Sequence, residues 1–81
     1  MSNYITTAKK AELPELLREL QEIARTMLSG CFTPRVIARK MEEIDNKLNF
    51  IEPEVDPTMH AKVKNEHASV SLLYTRLTES E

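Results

Sequence analysis

Four basic residues cluster around the short connection between the first two predicted helices, and their chemistry suits the binding of an anion. They are Arg25, Arg35, Arg39 and Lys40. Arg35 and Arg39 are four residues apart, so they share one face of a helix. Cations in the first turns of a helix oppose its macrodipole at a cost of a few tenths of a kcal/mol. We therefore predict that this basic tip contacts an acidic partner, a phosphate or a nucleic-acid backbone. The alternative interpretation is a solvated face with ion pairs to Glu22 or Glu43.

A second polar feature interrupts the apolar pattern of the third predicted helix. Glu66 and His67 occupy the position midway between Val63 and Val70, where an apolar residue is expected. One interpretation is a polar contact that sets the register of an interface, or a pH-sensitive interface. The other is that the apolar stripe drifts there, and the residues it would drift to are Ala61, Ala68 and Leu72.

The sequence holds no pattern typical of a catalytic or metal site. Cys31 lies in the first predicted loop, whereas both histidines, the bases that could activate it, belong to the third helix. His60 and His67 are separated by roughly 10 Å along a helix axis, too far to share one metal ion. The acidic residues near the other end of the hairpin lack the Glu-x-x-His pairs of bundle metal sites. We therefore expect no enzymatic activity, no catalytic residue, no metal and no cofactor.

Prolines and one glycine mark the elements that must position these residues. Thr33-Pro34 and Asp56-Pro57 each place a capping residue before a proline suited to a helix start. Gly30 fits the left-handed residue that ends a helix. The predicted helices cover 12–29, 34–51 and 57–78, after a polar N-terminal arm over residues 1–11. Because Leu13 is a poor cap for Pro14, an earlier start near Lys10, Thr6 or Thr7 with a bend at Pro14 is the alternative.

Apolar residues recur at steps of three and four in all three segments, as in packed helices. In the second segment they are Ile37, Met41, Ile44, Leu48 and Ile51. Because the connections are about five residues long, consecutive helices are expected to be antiparallel neighbours. The predicted fold is all-α, either a small antiparallel three-helix bundle or a helical hairpin plus a third helix. Since the core is thin and lacks tryptophan, self-association as a homodimer is an open alternative.

Composition limits the class of protein. The chain has 81 residues, 41% of them hydrophobic and 30% charged, with one glycine and one cysteine. The length predicts a single domain, 1–81. The lone cysteine excludes an intramolecular disulfide framework. A net charge of −2 is unlike that of a dedicated nucleic-acid-binding domain. No apolar run is long enough for a membrane span and no signal peptide is present, so a cytoplasmic protein is expected.

Two stretches resemble known motifs in part. Residues 33–41 resemble the first helix of a helix-turn-helix, but the apolar stripe continues to Ile51 without the turn that this motif needs. Residues 16–50 resemble the small aspartyl-phosphate phosphatases that regulate sporulation, which are helical hairpins carrying Ser-Gln-Glu-Leu-Asp. Here the corresponding stretch is Met-Glu-Glu-Ile-Asp over residues 41–45, one residue further from the proline than in that pattern. Only Glu43 and Asp45 match, and the resemblance implies that Asp45 acts on the aspartyl phosphate of a response regulator.

The size and the lack of a catalytic pattern favour a small binding or regulatory protein that acts on a partner protein through a helical surface. Inhibitors, adaptors, secretion chaperones and phage-encoded regulators include proteins of this architecture. The two alternatives are a phosphatase-like regulator of a response regulator and a regulator that binds nucleic acid with its basic tip.

Overall fold

The computed structural model describes residues 2–30 and 33–79, and this part of the chain contains three α-helices and no strand. The helices are α1 (Ser2–Leu28), α2 (Pro34–Asn49) and α3 (Pro57–Glu79), with a single 3-10 turn at Pro53–Val55. The prediction of an all-α three-helix protein is confirmed. Cys31, which the sequence places in the first loop, lies outside the described residues.

Helix α1 begins about ten residues before its predicted start, so the prediction of a polar arm over residues 1–11 is wrong for residues 2–11. Pro14 lies inside the helix and does not begin it. An interior proline removes one backbone hydrogen bond, while Leu13 and Leu16 on either side of it are fully buried. The ammonium of Lys9 is also 2.8 Å from a carboxylate oxygen of Glu52, which ties the preceding turn to the rest of the protein.

The other boundaries lie close to the predicted ones. Helix α2 starts at the predicted proline with Thr33 as its N-cap residue, although the Thr33 hydroxyl makes no capping hydrogen bond. It ends at Asn49, two residues earlier than predicted. Helix α3 starts as predicted, and the Asp56 carboxylate accepts a hydrogen bond from the backbone N–H of Met59 at 3.2 Å. The capping interpretation of Asp56 is thus confirmed.

Gly30 ends α1 in the predicted way. Its φ of +81° lies in the left-handed region that residues with a Cβ rarely adopt. Its backbone N–H donates to the carbonyl of Met27 at 3.1 Å, which satisfies one of the free carbonyls of the last turn. The chain then reverses so that α2 runs back along α1.

The three helices close around one apolar core with up-down-up topology. The Tyr74 hydroxyl donates to the Pro34 carbonyl at 3.3 Å, which places the end of α3 beside the start of α2. The molecule is elongated, with dimensions of 50 × 19 × 17 Å. None of the described helices is long and apolar enough to cross a membrane. Every helix contributes to the core, whose buried apolar residues are Leu13, Leu16, Leu20, Ile23, Met27, Ile37, Met41, Ile44, Leu48, Ile51, Val63 and Val70.

Candidate partner-binding surfaces

The outer face of α2 carries Arg35 and Arg39. Because a helix turns about 100° per residue, these two residues lie on the side opposite the buried stripe that contains Ile37 and Met41. Both arginines are exposed. None of the acidic residues in the described part of the chain forms an ion pair with either one. The structure thus presents two unpaired guanidinium groups on one exposed face.

The other two residues of the predicted basic tip lie elsewhere. Arg25 is in the last turn of α1, and its guanidinium is 3.1 Å from a carboxylate oxygen of Glu22 on the same helix. A cation there is favoured by the helix macrodipole, so Arg25 has a structural role of its own. Lys40 lies about 100° round α2 from Arg39 and lines a groove beside α1. Of the predicted four, the structure brings only Arg35 and Arg39 onto one face.

The groove between α1 and α2 has a volume of about 530 Å³. Its floor includes Ile23 and Ile37, which are buried, and its wall includes Val36, which is 50% exposed. Three of its four charged lining residues are acidic. The full lining consists of Glu19, Glu22, Ile23, Thr26, Thr33, Val36, Ile37, Lys40 and Glu43.

A second groove of about 410 Å³ lies between α2 and α3. Asp45, Lys64 and His67 provide a carboxylate, an ammonium and an imidazole along it. Glu43, which the phosphatase resemblance pairs with Asp45, lines the α1–α2 groove instead. Since the two residues are about 200° apart around α2, they belong to different surfaces.

The two polar residues that interrupt the α3 stripe both lie at helix–helix seams. His67 is half-buried, and its Nε2 is 3.2 Å from the Met41 carbonyl of α2. Glu66 is also half-buried and lines a shallow depression with Leu17 and Gln21 of α1. A role in the register of an intermolecular interface stays a prediction. The drift interpretation is wrong, since the residues it involves are all exposed: Ala61, Ala68 and Leu72.

His60 is a structurally important residue that the sequence analysis missed. It is 8% exposed, and its Nε2 is 3.1 Å from the carbonyl of Ile51, just beyond the end of α2. Carbonyls at helix ends lack intrahelical partners, so this imidazole satisfies a group that burial would otherwise leave unpaired. The spacing signal was present, because His60 precedes Val63 by three residues and so belongs to the buried stripe of α3.

At the end of the molecule opposite the basic tip, the described residues form one ion pair between elements, from Lys9 to Glu52. The hydrogen bond from the Lys9 ammonium lowers the pKa of Glu52 below its ordinary value of 4.5. Both side chains contact solvent, so the pair orients α1 more than it stabilises the fold. Within residues 2–30 and 33–79, no group of three or more His, Cys, Asp or Glu side chains is arranged to hold a metal ion.

Comparison of the chain with protein-family models, with curated proteins and with solved structures finds no match in any of the three.

Proposed function

We propose that this protein is a small non-enzymatic binding or regulatory protein that acts on a partner protein through the outer face of α2. The observation that carries the proposal is the exposed, unpaired state of Arg35 and Arg39 on that face. Of the other arginines, Arg18 and Arg25 form ion pairs within α1, whereas Arg76 is exposed and unpaired among the described residues but is the sole arginine of α3. The two on α2 are left available for an acidic surface of another protein.

The position of Arg35 within α2 supports the proposal. It is the second residue of the helix, and no acidic residue lies in that first turn. The helix macrodipole disfavours a cation there by a few tenths of a kcal/mol. Arg35 therefore does not stabilise its own helix, and it forms no ion pair with a described residue. A contact with an anionic group of another molecule would explain a cation at this position.

The test is capture of partners from cells that express the protein, with the double variant Arg35→Glu/Arg39→Glu. Because both side chains are exposed, we expect the variant to keep its helical content and melting temperature. We expect it to lose about tenfold or more of the captured partner protein, as charge reversal at an interface does. Quantitative mass spectrometry of the captured proteins gives the readout.

The matched control is Lys10→Glu/Arg76→Glu, which makes the same change of charge on exposed residues of α1 and α3 that line none of the grooves described above. We expect this control to capture the partner as the unaltered protein does. Equal capture by all three proteins would show that the outer face of α2 contacts solvent and not the partner protein. Nuclease treatment of the lysate distinguishes binding to a partner protein from binding to nucleic acid. Capture through DNA or RNA would be lost on treatment, and it would also fall steeply as the salt concentration rises.

A further inference from the structure

The α1–α2 groove has an apolar floor between two helices that leave part of their apolar surface uncovered. Val36 is 50% exposed there, beside the buried Ile23 and Ile37. Most β-branched apolar residues on a helix that packs in a bundle are placed in the core, as Ile37 is. The groove therefore offers an apolar contact that the three helices of this chain do not use.

The length of the groove matches a short helix. On α1 it extends from Glu19 to Thr26, which is roughly 10 Å of helix, and on α2 from Thr33 to Glu43, roughly 15 Å. In a four-helix bundle, a further helix packs against the groove between two antiparallel helices. The α1–α2 groove can accept a helix in the same way. An occupant of two to three turns would cover the floor.

The charges along the groove determine which sign of charge a helix bound there should carry. Three carboxylates, from Glu19, Glu22 and Glu43, face one ammonium, from Lys40. Glu22 is paired with Arg25, but Glu19 and Glu43 form no ion pair with any residue that the structure describes. An anionic helix would meet like charges at both edges, whereas a cationic helix would meet an unpaired carboxylate on each side.

We infer that the α1–α2 groove binds a positively charged amphipathic helix of a partner protein. Its apolar residues, spaced three and four apart, would cover Val36, and its Lys or Arg side chains would pair with Glu19 and Glu43. This inference goes beyond the proposed function, because it concerns a different face of α2 and a partner segment of opposite charge. Arg39 of the outer face and Lys40 of the groove are adjacent in sequence, so the two surfaces adjoin and one partner with both kinds of segment can engage both.

The test uses a synthetic helical peptide of about three turns, stapled to hold it helical, with leucines on one face and lysines flanking them. A second peptide with glutamate in place of every lysine is the comparison. Titration of the isotope-labelled protein, followed by two-dimensional NMR, reports both the affinity and the residues contacted. We expect the cationic peptide to bind and to shift the amide signals of Ile23, Thr26, Val36, Ile37 and Lys40.

Two adjacent residues of α2 supply a matched pair of variants. Glu43 lines the groove, whereas Glu42 lies about 100° away on the exposed outer face. We expect Glu43→Lys to weaken binding of the cationic peptide about tenfold and Glu42→Lys to change it less than about threefold. Equal weakening by both variants would reveal non-specific attraction to an acidic protein and overturn the inference. Failure of the cationic peptide to bind, binding no tighter than that of the anionic peptide, or shifts confined to another face would overturn it too.

The same titration with Arg35→Glu/Arg39→Glu keeps this inference separate from the proposed function. We expect that variant to bind the cationic peptide at least as tightly as the unaltered protein, since it removes positive charge near the groove. If the arginine variant loses its partner but still binds the peptide, the proposed function and the groove inference are each supported by a separate measurement. If the cationic peptide does not bind while the arginine variant loses its partner, the inference about the groove is overturned and the proposed function stands.

Discussion

At the scale of single residues, the buried polar group that matters most is the imidazole of His60. It is the one buried polar side chain among those that the structure describes, and it contacts the Ile51 carbonyl across the connection from α2 to α3. Its own backbone N–H donates to the Asp56 carbonyl at 2.8 Å, within the first turn of α3. One residue therefore joins the end of one helix to the start of the next.

Replacing His60 by leucine keeps much of the volume but removes the partner of the Ile51 carbonyl. A buried acceptor left without a partner costs about 1–3 kcal/mol. For a domain of this size each kcal/mol lowers the melting temperature by about 4–8 °C. We therefore expect His60→Leu to melt several degrees below the unaltered protein in thermal unfolding followed by circular dichroism.

The control is His60→Gln, whose side-chain amide can donate from a position close to that of Nε2. We expect this variant to recover part of the lost stability. If the leucine variant were as stable as the unaltered protein, the hydrogen bond to Ile51 would contribute nothing to the fold.

At the scale of elements, helix starts and ends were predictable where the determinants are local. Pro34, Pro57 and Gly30 mark boundaries through their own backbone preferences, and the structure places boundaries at all three. The start of α1 was mispredicted, because Pro14 has the same local preference but is overridden by distant contacts. Burial of Leu13 in the core and the pairing of Lys9 with Glu52 are invisible in a local pattern.

The grooves could not be predicted for a related reason. The apolar stripe of α2 shows which side faces the core, but it does not show which flank adjoins α1 and which adjoins α3. That choice depends on the handedness of the bundle. As a result Lys40 was assigned to the basic tip by sequence proximity, whereas the structure places it beside α1, about 100° round α2 from Arg39.

Replacing Pro14 by alanine tests whether the helix continues through this position. In a helix interior alanine is favoured over proline by up to about 3 kcal/mol, and it restores a backbone N–H that can donate to the Lys10 carbonyl. Because Pro14 is exposed, no packing is lost. We expect Pro14→Ala to raise the melting temperature and the helical content.

Pro34→Ala is the matched control, since proline is well suited to the first position of α2. We expect it to leave stability unchanged or slightly lower. A Pro14→Ala variant that left stability unchanged would instead indicate that Pro14 lies in the first turn of α1, as the predicted start at residue 12 implies.

At the scale of the whole molecule, the exposed large apolar residues of the described part of the chain lie on all three helices and the second connection. Leu28 lies at the end of α1, Val36 near the start of α2, Phe50 just after α2, and Leu72 on α3. Leu28 and Phe50 are near opposite ends of a molecule 50 Å long. Stable dimers of small proteins need a continuous apolar patch, and Phe50 at one end of the molecule cannot share a patch with Leu28 at the other.

We therefore expect a monomer of 9.3 kDa by light scattering across a wide range of protein concentration. Apart from Val36 in the α1–α2 groove, the three apolar stripes cover one another, so the driving force for a homodimer is small. A stable dimer would contradict this expectation and direct attention to composite surfaces, first of all to the seams at Glu66 and His67. In a dimer, the second copy of the chain could occupy the α1–α2 groove. The peptide titration would then have to be repeated under conditions where the groove is free.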